Sequence, residues 1–96
     1  MYITITGTNY YQGVDEIKIG QELLLIKDEN NNKDSEAIKV LDQNKVPVGY
    51  VANSVHTVAK GCHSAGYIYR DVNSNTKCKV LFVVEELIIG EIKEKW

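Results

Sequence analysis

The chain alternates between short apolar segments and clusters of polar turn residues, and this rhythm constrains its fold more than any other feature. Residues 2–6 alternate isoleucine with threonine, which is the pattern of a half-buried strand. The later apolar segments are bounded by turn-forming residues such as Gly, Asn and Asp. The segments predicted as strands are residues 2–6, 22–27, 37–41, 46–51, 67–70 and 78–84. Five or six short strands predict a mostly β fold, a twisted sheet that closes into a small barrel or half-barrel.

Polar turns predict how neighbouring strands connect. Residues 42–45 separate two apolar runs and predict a β-hairpin, in which Pro47 should lie at the start of its strand or on a sheet edge. Residues 73–75 predict a second hairpin between the last two strands. Residues 85–96 stay open between a continuing strand and a short helix interrupted at Gly90.

One short helix is predicted between the two hairpins. Asn53 and Ser54 are residue types that cap helices, and Lys60 would lie in the last turn, before Gly61. With this helix, and one more if the tail is helical, the sequence predicts one or two short helices beside the strands.

Length and composition describe one ordinary folded domain. The 96 residues suffice for one hydrophobic core, and 44% hydrophobic with 25% charged residues is typical of globular proteins. The sequence lacks a long apolar run and a secretion signal, so we expect a cytoplasmic protein without a membrane partner. Cys62 and Cys78 do not form a C-x-x-C pair, and we expect two free thiols.

Charge is distributed unevenly along the chain. The net charge of −2 argues against a protein that coats nucleic acid by bulk electrostatics. Residues 1–52 hold five lysines and eight acids, a balance of −3, whereas residues 53–84 hold four cations and one acid, a balance of +3. The tail from residue 85 has two lysines and four acids, a balance of −2. This distribution favours a few placed phosphate contacts over a long basic tract.

No catalytic or metal-binding motif is recognisable. The sequence contains no P-loop, no nucleophile elbow and no H-E-x-x-H motif, so we expect a protein that is not an enzyme. Its soft metal-ligand types are His56, Cys62, His63 and Cys78, whose spacing fits no zinc-finger pattern. We therefore expect neither a metal nor a cofactor, and we expect Cys78 to point into the core.

Three motifs in a fixed order resemble the HIRAN domain. They are Gly7-x-Asn9-Tyr10-Tyr11-x-Gly13, then Asn30-Asn31-x-x-Asp34-x-x-Ala37-Ile38-x-Val40, then Val48-Gly49-Tyr50-Val51. The resemblance covers residues 1–84, which would form the domain, with residues 85–96 as a C-terminal extension. It implies an OB-like or SH3-like barrel that holds the 3′ end of single-stranded DNA.

The resemblance also implies roles for individual residues. Tyr10 and Tyr11 would stack on or abut the terminal bases, and Asp34 would accept a hydrogen bond from the free 3′-hydroxyl. Asn31 would be a sugar or phosphate donor in the same loop. These residue types suit such a site, because aromatic faces stack on any base and a carboxylate beside DNA is repelled unless it finds a donor.

Four positions depart from the DNA-binding members of the family. Asn9 replaces an arginine and Lys33 replaces an aromatic residue, while Tyr50 and Asn53 replace a histidine and a lysine. The candidate DNA-binding residues are Asn9, Tyr10, Tyr11, Asn31, Lys33, Asp34, Tyr50 and Asn53. The expected partners are single-stranded DNA or DNA 3′ ends, together with helicase or nuclease proteins.

A protein-interaction module is the alternative function. The same barrel would then grip a peptide or dimerise through the apolar residues 87–92 and Trp96. Salt dependence separates the two readings, since affinity for DNA falls steeply with salt whereas apolar contacts survive it.

Overall fold

Six antiparallel strands form a closed barrel in the computed structural model, which describes residues 1–93. The strands are β1 (Tyr2–Thr6), β2 (Glu22–Lys27), β3 (Ile38–Leu41), β4 (Pro47–Val51), β5 (Lys77–Val84) and β6 (Leu87–Glu91). Their order around the barrel is β1-β4-β3-β2-β5-β6, and one short helix, α1, spans Ala65–Ile68. Two 3₁₀ turns lie at Thr8–Tyr10 and Tyr69–Asp71. The predicted mostly β, OB-like barrel with short helices is confirmed.

The barrel encloses an aliphatic core that follows the two-residue period of the strands. Ile3 and Ile5 on β1 are fully buried, as are Val80 on β5 and Ile88 on β6. Alternate residues of a strand face opposite sides of its sheet, so buried and outward-facing side chains alternate along much of the sheet. On β4 the core residues Val48 and Val51 are three apart instead. Full burial of one such side chain is worth about 1.5–3 kcal/mol, which makes the repeated alternation the main stabilising feature.

The predicted hairpin between β3 and β4 is confirmed. The two strands pair antiparallel, with a register shift between Val40 and Leu41, and Pro47 begins β4 as the sequence predicted. Asp42 organises the turn, since its Oδ1 atom accepts the amides of Asn44 at 2.8 Å and Val46 at 2.9 Å. This is the side-chain-to-backbone bonding for which Asp is favoured in turns.

The predicted helix after Asn53 is wrong. Residues 54–60 form turns and bends, and Val55 is 90% exposed. Thr4 of β1 holds this segment instead, because its Oγ1 accepts the amide of Ala59 at 3.0 Å and its carbonyl accepts that of Ala52 at 2.8 Å. A single turn forms at Ser54, whose carbonyl accepts the amides of Thr57 at 3.0 Å and Val58 at 2.9 Å, and the attachment to β1 then takes the place of further helical hydrogen bonds.

The predicted strand over residues 67–70 is also wrong, because the helix lies there. Ser64 caps α1 by accepting the Tyr67 amide at 3.2 Å. Ala65 and Ile68 are both fully buried, and a spacing of three residues is the period of a helix face rather than of a strand. The Tyr67-Ile68-Tyr69 pattern resembled a strand, while the burial of Ala65 and Ile68 follows the helical period.

The tail supplies the last strand of the barrel. β6 pairs with β1 on one side and with β5 on the other, so the strand alternative holds for residues 87–91. The second predicted hairpin is wrong, since the final hairpin joins β5 to β6, and the predicted boundary after residue 84 falls within it. Trp96 lies outside the described residues. No helix within residues 1–93 is long and apolar enough to cross a membrane.

Candidate nucleic-acid interface

A shallow depression of about 370 Å³ gathers five of the eight predicted site residues. We name it the polar groove, and it lies between the loop that joins β2 to β3 and the segment after β4. Its lining residues are Thr6, Asn31, Lys33, Asp34, Ala37, Tyr50, Val51, Ala52, Asn53, Ser54 and Thr57. The three remaining predicted residues, Asn9, Tyr10 and Tyr11, are not part of this lining.

Asn31 organises the loop that forms one wall of the polar groove. Its Oδ1 accepts the backbone amides of Lys33 and Asp34, each at 2.9 Å, and its Nδ2 donates to Asp28 Oδ2 at 3.3 Å. Asn is suited to such a loop because its short amide replaces backbone partners. The side chain that was expected to face DNA thus has both ends bonded within the loop.

Asp34 presents its carboxylate to the polar groove. Its Oδ1 accepts the Glu36 amide at 2.8 Å, while Asn53 Nδ2 donates to its Oδ2 at 3.2 Å and to Oδ1 at 3.4 Å. A carboxylate oxygen accepts two hydrogen bonds, so Oδ2 keeps capacity for one further donor. The side chain is therefore oriented by its neighbours and can still accept a hydroxyl.

Asn53 connects this loop to helix α1. Besides Asp34, its Nδ2 donates to Glu36 Oε1 at 3.2 Å, and its Oδ1 accepts the Gly66 amide at 2.7 Å. One amide side chain therefore joins two acids of the loop to the first turn of the helix. A lysine at this position could donate to the acids, but it has no acceptor for the Gly66 amide.

Tyr50 stands on β4 and reaches the same loop from the barrel wall. Its hydroxyl donates to Asp28 Oδ2 at 2.7 Å. Burial raises the pKa of Tyr50 above its usual range, and the bond to Asp28 and the nearby phenol of Tyr11 add to the rise. The bond from Tyr50 in turn lowers the pKa of Asp28, assisted by Asn31 and Lys39 against the opposing effect of burial. Tyr50 is thus a neutral phenol bonded to a charged carboxylate.

The close approach of β1 and β4 beside Tyr50 requires glycine at position 49. A Cβ atom on Gly49 would lie 2.5 Å from the carbonyl oxygen of Thr6 and 3.1 Å from Ile5 Cγ2. No side chain fits at the first of these distances, because the obstructing atom belongs to the backbone. Gly49 therefore sets the position of Tyr50 relative to the end of β1.

The turn that carries the predicted aromatic pair is anchored from beneath. Gly7 has a φ of 74°, in the left-handed region, and begins the turn. Thr8 is fully buried, and its Oγ1 donates to the carbonyl of Glu86 at 2.6 Å. Its own carbonyl accepts the amides of Tyr11 and Gly13, each at 3.0 Å. The aromatic pair therefore stands on a fixed base.

The pair itself is displayed to solvent. Tyr10 is 84% exposed and Tyr11 is 38% exposed, and Asn9 beside them is exposed as well. Their turn contacts β4, and the phenol of Tyr11 is near enough to that of Tyr50 to raise its pKa. The sequence-predicted residues thus form two adjoining groups, the polar groove and the aromatic turn, which meet at Tyr50.

A family model of the HIRAN domain matches residues 1–86. The chain belongs to the HIRAN domain family. The crystal structure of the HIRAN domain of human HLTF is similar in fold, with a TM-score of 0.68 and 24% identity over 96% of this chain and 71% of that chain. A crystal structure of a Lactobacillus plantarum protein has a TM-score of 0.67 and 15% identity over 95% of this chain and 87% of that one. No curated protein matches the sequence.

HIRAN domains are nucleic-acid-binding modules, and they bind rather than catalyse. The resemblance inferred from the three motifs is therefore confirmed at the level of the family. Among the described residues that line the polar groove of this HIRAN domain, Lys33 is the one cation. Three carboxylates, those of Asp28, Asp34 and Glu36, lie in or beside it. The groove thus has far more hydrogen-bonding capacity than positive charge.

Sequence reasoning missed two participants, Asp28 and Glu36. Asp28 directly follows β2, and a charged residue at the end of a buried strand was the available signal. Glu36 lies two residues beyond Asp34 in the same loop, where its side chain meets Asn53. Neither contact could be read from spacing, because both partners come from the chain beyond β3.

His56, Cys62, His63 and Cys78 are the residues of soft metal-ligand type, which the sequence did not predict to bind a metal. Within residues 1–93 no three His, Cys, Asp or Glu side chains form a group that could hold a metal ion. His63 stacks on Tyr67 instead, and Cys62 and Cys78 are free. Cys78 is buried in the core as predicted, and burial raises its pKa to about 12, which keeps it a protonated thiol.

Proposed function

We propose that this HIRAN domain binds single-stranded DNA at a free 3′ end, with the 3′-hydroxyl donating to Asp34 Oδ2 in the polar groove. The main support is the arrangement of Asp34, a carboxylate that Asn53 and the Glu36 amide orient toward the groove with one acceptor position left. A terminal hydroxyl supplies the missing donor, whereas a terminal phosphate would be repelled.

The aromatic turn would hold the terminal bases. Tyr10 and Tyr11 are exposed on an anchored turn beside Tyr50, and stacking on such rings is worth about 1–3 kcal/mol per base. Tyr50 has its hydroxyl bonded to Asp28, so its ring is held at the junction of turn and groove. Stacking does not depend on base identity, and the domain would recognise an end rather than a sequence.

Electrostatics would make the binding selective rather than tight. Asn9 would supply an uncharged phosphate donor from the turn, and Lys33 is the groove's one cation among the described lining residues. Each phosphate contact by a cation contributes a salt-dependence slope of about −0.7 on single strands. We therefore expect a shallow salt dependence, with discrimination between DNA ends as the main property.

The decisive measurement is fluorescence polarisation with a labelled oligonucleotide that carries either a 3′-hydroxyl or a 3′-phosphate. The wild-type protein should prefer the hydroxyl end. Asp34→Asn should remove that preference, because an amide does not repel phosphate and accepts a hydroxyl less strongly than a carboxylate. Asp15→Asn is the matched control, an exposed acid outside the groove. If neither oligonucleotide binds at low salt, the proposal is wrong.

A second candidate function, protein interaction, has its own observation. A groove of about 520 Å³ lies on the outer surface where β1, β5 and β6 meet, and we name it the apolar groove. It is lined by Tyr2, Ala59, Lys60, Gly61, Cys62, Leu81, Phe82 and Ile89. Phe82 is 57% exposed, although Ile88 and Ile92 of the tail are buried in the core. A helicase or nuclease protein, or a second copy of the chain, would bind this surface.

Sedimentation of the wild-type protein over a range of concentrations tests self-association, and Phe82→Ser is the variant to compare. A mass that rises with concentration in the wild type and stays that of a monomer in the variant supports dimerisation. Copurification with a helicase or nuclease that Phe82→Ser abolishes supports a different partner. If the wild-type protein stays a monomer at every concentration and copurifies with neither a helicase nor a nuclease, this function is ruled out.

We also propose that the protein acts in the cytoplasm. Its two cysteines are free, and reducing compartments keep thiols unpaired. Fractionation of cells that produce the protein would check this, and recovery with the secreted or membrane fraction would contradict it.

A further inference from the structure

An aromatic stack lies at the start of helix α1, beside the polar groove, and takes no part in the site described above. The rings of His63 and Tyr67 lie 4.2 Å apart between centroids, with an interplanar angle of 15°. Tyr67 is 64% exposed, so the imidazole covers one face of its ring and the other remains open to solvent. An open aromatic face of this kind is a surface on which a base can stack.

The backbone that carries both rings is anchored. The His63 amide donates to the carbonyl of Tyr2 at 2.7 Å, which attaches this residue to the start of β1. The Ser64 hydroxyl caps α1 by accepting the Tyr67 amide at 3.2 Å. A stack that is already formed loses little conformational freedom when a ligand is added, and this favours binding.

The stack adjoins the polar groove through Asn53. Asn53 lines the groove and accepts the amide of Gly66 at 2.7 Å, and Gly66 is the neighbour of Tyr67 in the chain. A strand of DNA bound in the groove therefore comes within reach of Tyr67 where it leaves the groove at the Asn53 end.

A cation accompanies the stack. Arg70 is exposed and lies three residues after Tyr67 in the continuous helical stretch of residues 65–71, so both side chains project on the same side. Tyr67 and Arg70 belong to residues 53–84, a segment that contains four cations and one acid, whereas the polar groove is acidic. Arg70 thus offers a phosphate contact that the groove lacks.

We propose that Tyr67, His63 and Arg70, which we name the outer platform, form a second DNA-binding site on which Tyr67 stacks with a base lying outside the polar groove and Arg70 contacts its phosphate. The inference rests on the proposed function, since it extends the same bound strand beyond the groove. It predicts a longer footprint on DNA than the groove alone would have.

The test uses single-stranded oligonucleotides of about ten nucleotides, within the site sizes that OB folds occupy, each carrying one 2-aminopurine at a different distance from the 3′-hydroxyl. The fluorescence of this base is quenched when it stacks. With wild-type protein one position outside the terminal dinucleotide should be quenched, and Tyr67→Ala should abolish that quenching alone. Tyr67→Phe is the matched control, because it keeps the ring and should keep the quenching.

Affinities separate this inference from the proposed function. Tyr67→Ala should weaken binding of the long oligonucleotide by about fivefold or more, while a dinucleotide with a free 3′-hydroxyl should bind both proteins equally. If the wild type binds DNA with a 3′-hydroxyl preference and Tyr67→Ala changes neither affinity nor quenching, the outer platform is wrong and the groove stands. If the wild type binds no oligonucleotide, both proposals are wrong.

Discussion

The polar groove and the apolar groove lie on the same barrel and differ in how their side chains are held. In the polar groove, Asn53 donates to Asp34 and accepts the Gly66 amide. Tyr50 donates to Asp28, so these side chains have partners before any ligand arrives. In the apolar groove, Phe82 projects from β5 with more than half of its surface in solvent. The comparison teaches that the first surface is preorganised for hydrogen bonding, whereas the second gains only from being covered.

The largest expected effect comes from disrupting the seam between β1 and β4, where these two strands pair beside the polar groove. Gly49→Ala would place a Cβ atom 2.5 Å from the Thr6 carbonyl oxygen, and β1 and β4 would have to separate. We expect a loss of about 2–4 kcal/mol in the free energy of unfolding, typical of overpacking where the backbone must move. Urea denaturation measures it, with the exposed Gln43→Ala as control. A loss below that of the control would mean that the seam is not tight.

A smaller loss should follow removal of one hydrogen bond within the polar groove. Tyr50→Phe deletes the donor to Asp28, and at neutral pH we expect a cost of about 1–3 kcal/mol because the acceptor is charged. Urea denaturation of both proteins measures it. Tyr10→Phe is the matched control, because its hydroxyl has no such bond among the described residues and its ring is exposed.

The Tyr50→Phe effect should depend on pH. The folded state lowers the pKa of Asp28 below its ordinary value of 3.8, chiefly through Tyr50. The stabilisation is therefore complete above 3.8 and is lost as the pH falls through the lower, folded-state pKa. The difference in stability between wild type and Tyr50→Phe should shrink over that acidic range. A difference that stays constant to the lowest measurable pH would contradict the charged pair.

The fold was predictable from sequence where local pattern and long-range pairing agree. The alternation of Ile3 and Ile5 with threonines, and the turn at Asp42, each specify a strand or hairpin from neighbouring residues alone. The helix was misplaced because Tyr67-Ile68-Tyr69 imitates a strand, and because Asn53, which resembles a helix cap, bonds to the loop and to Gly66 instead. Caps and short aromatic runs are ambiguous when tertiary partners decide their use.

The candidate site was predictable only in part, for a similar reason. Asn31 and Asp34 share one loop, so their proximity follows from sequence. Tyr50 bonds to Asp28 across 22 residues and Asn53 to Asp34 across 19. Those contacts exist because β3 and β4 return the chain to the loop, which no spacing rule reveals.

Removing the positive charge of Lys33 from the polar groove should have a smaller effect, on the salt dependence of DNA binding. Lys33→Gln should reduce the slope of log affinity against log salt by about 0.7, the value for one phosphate contact on a single strand. Lys45→Gln is the matched control, an exposed lysine in the β3–β4 turn outside the groove. Fluorescence polarisation at several salt concentrations measures both slopes. Equal slopes for the two variants would remove Lys33 from the phosphate contacts.

The smallest expected effect on stability comes from a substitution in the apolar groove. Phe82 is 57% exposed, and its replacement deletes no hydrogen bond and opens little space in the core. Phe82→Ser should therefore change the free energy of unfolding by about 0.5 kcal/mol or less, as surface substitutions usually do. Urea denaturation beside Tyr50→Phe makes the contrast direct. A large loss of stability in Phe82→Ser would mean that the ring stabilises the barrel itself. If the loss is small, the exposed ring contributes little to folding and is available to contact a partner.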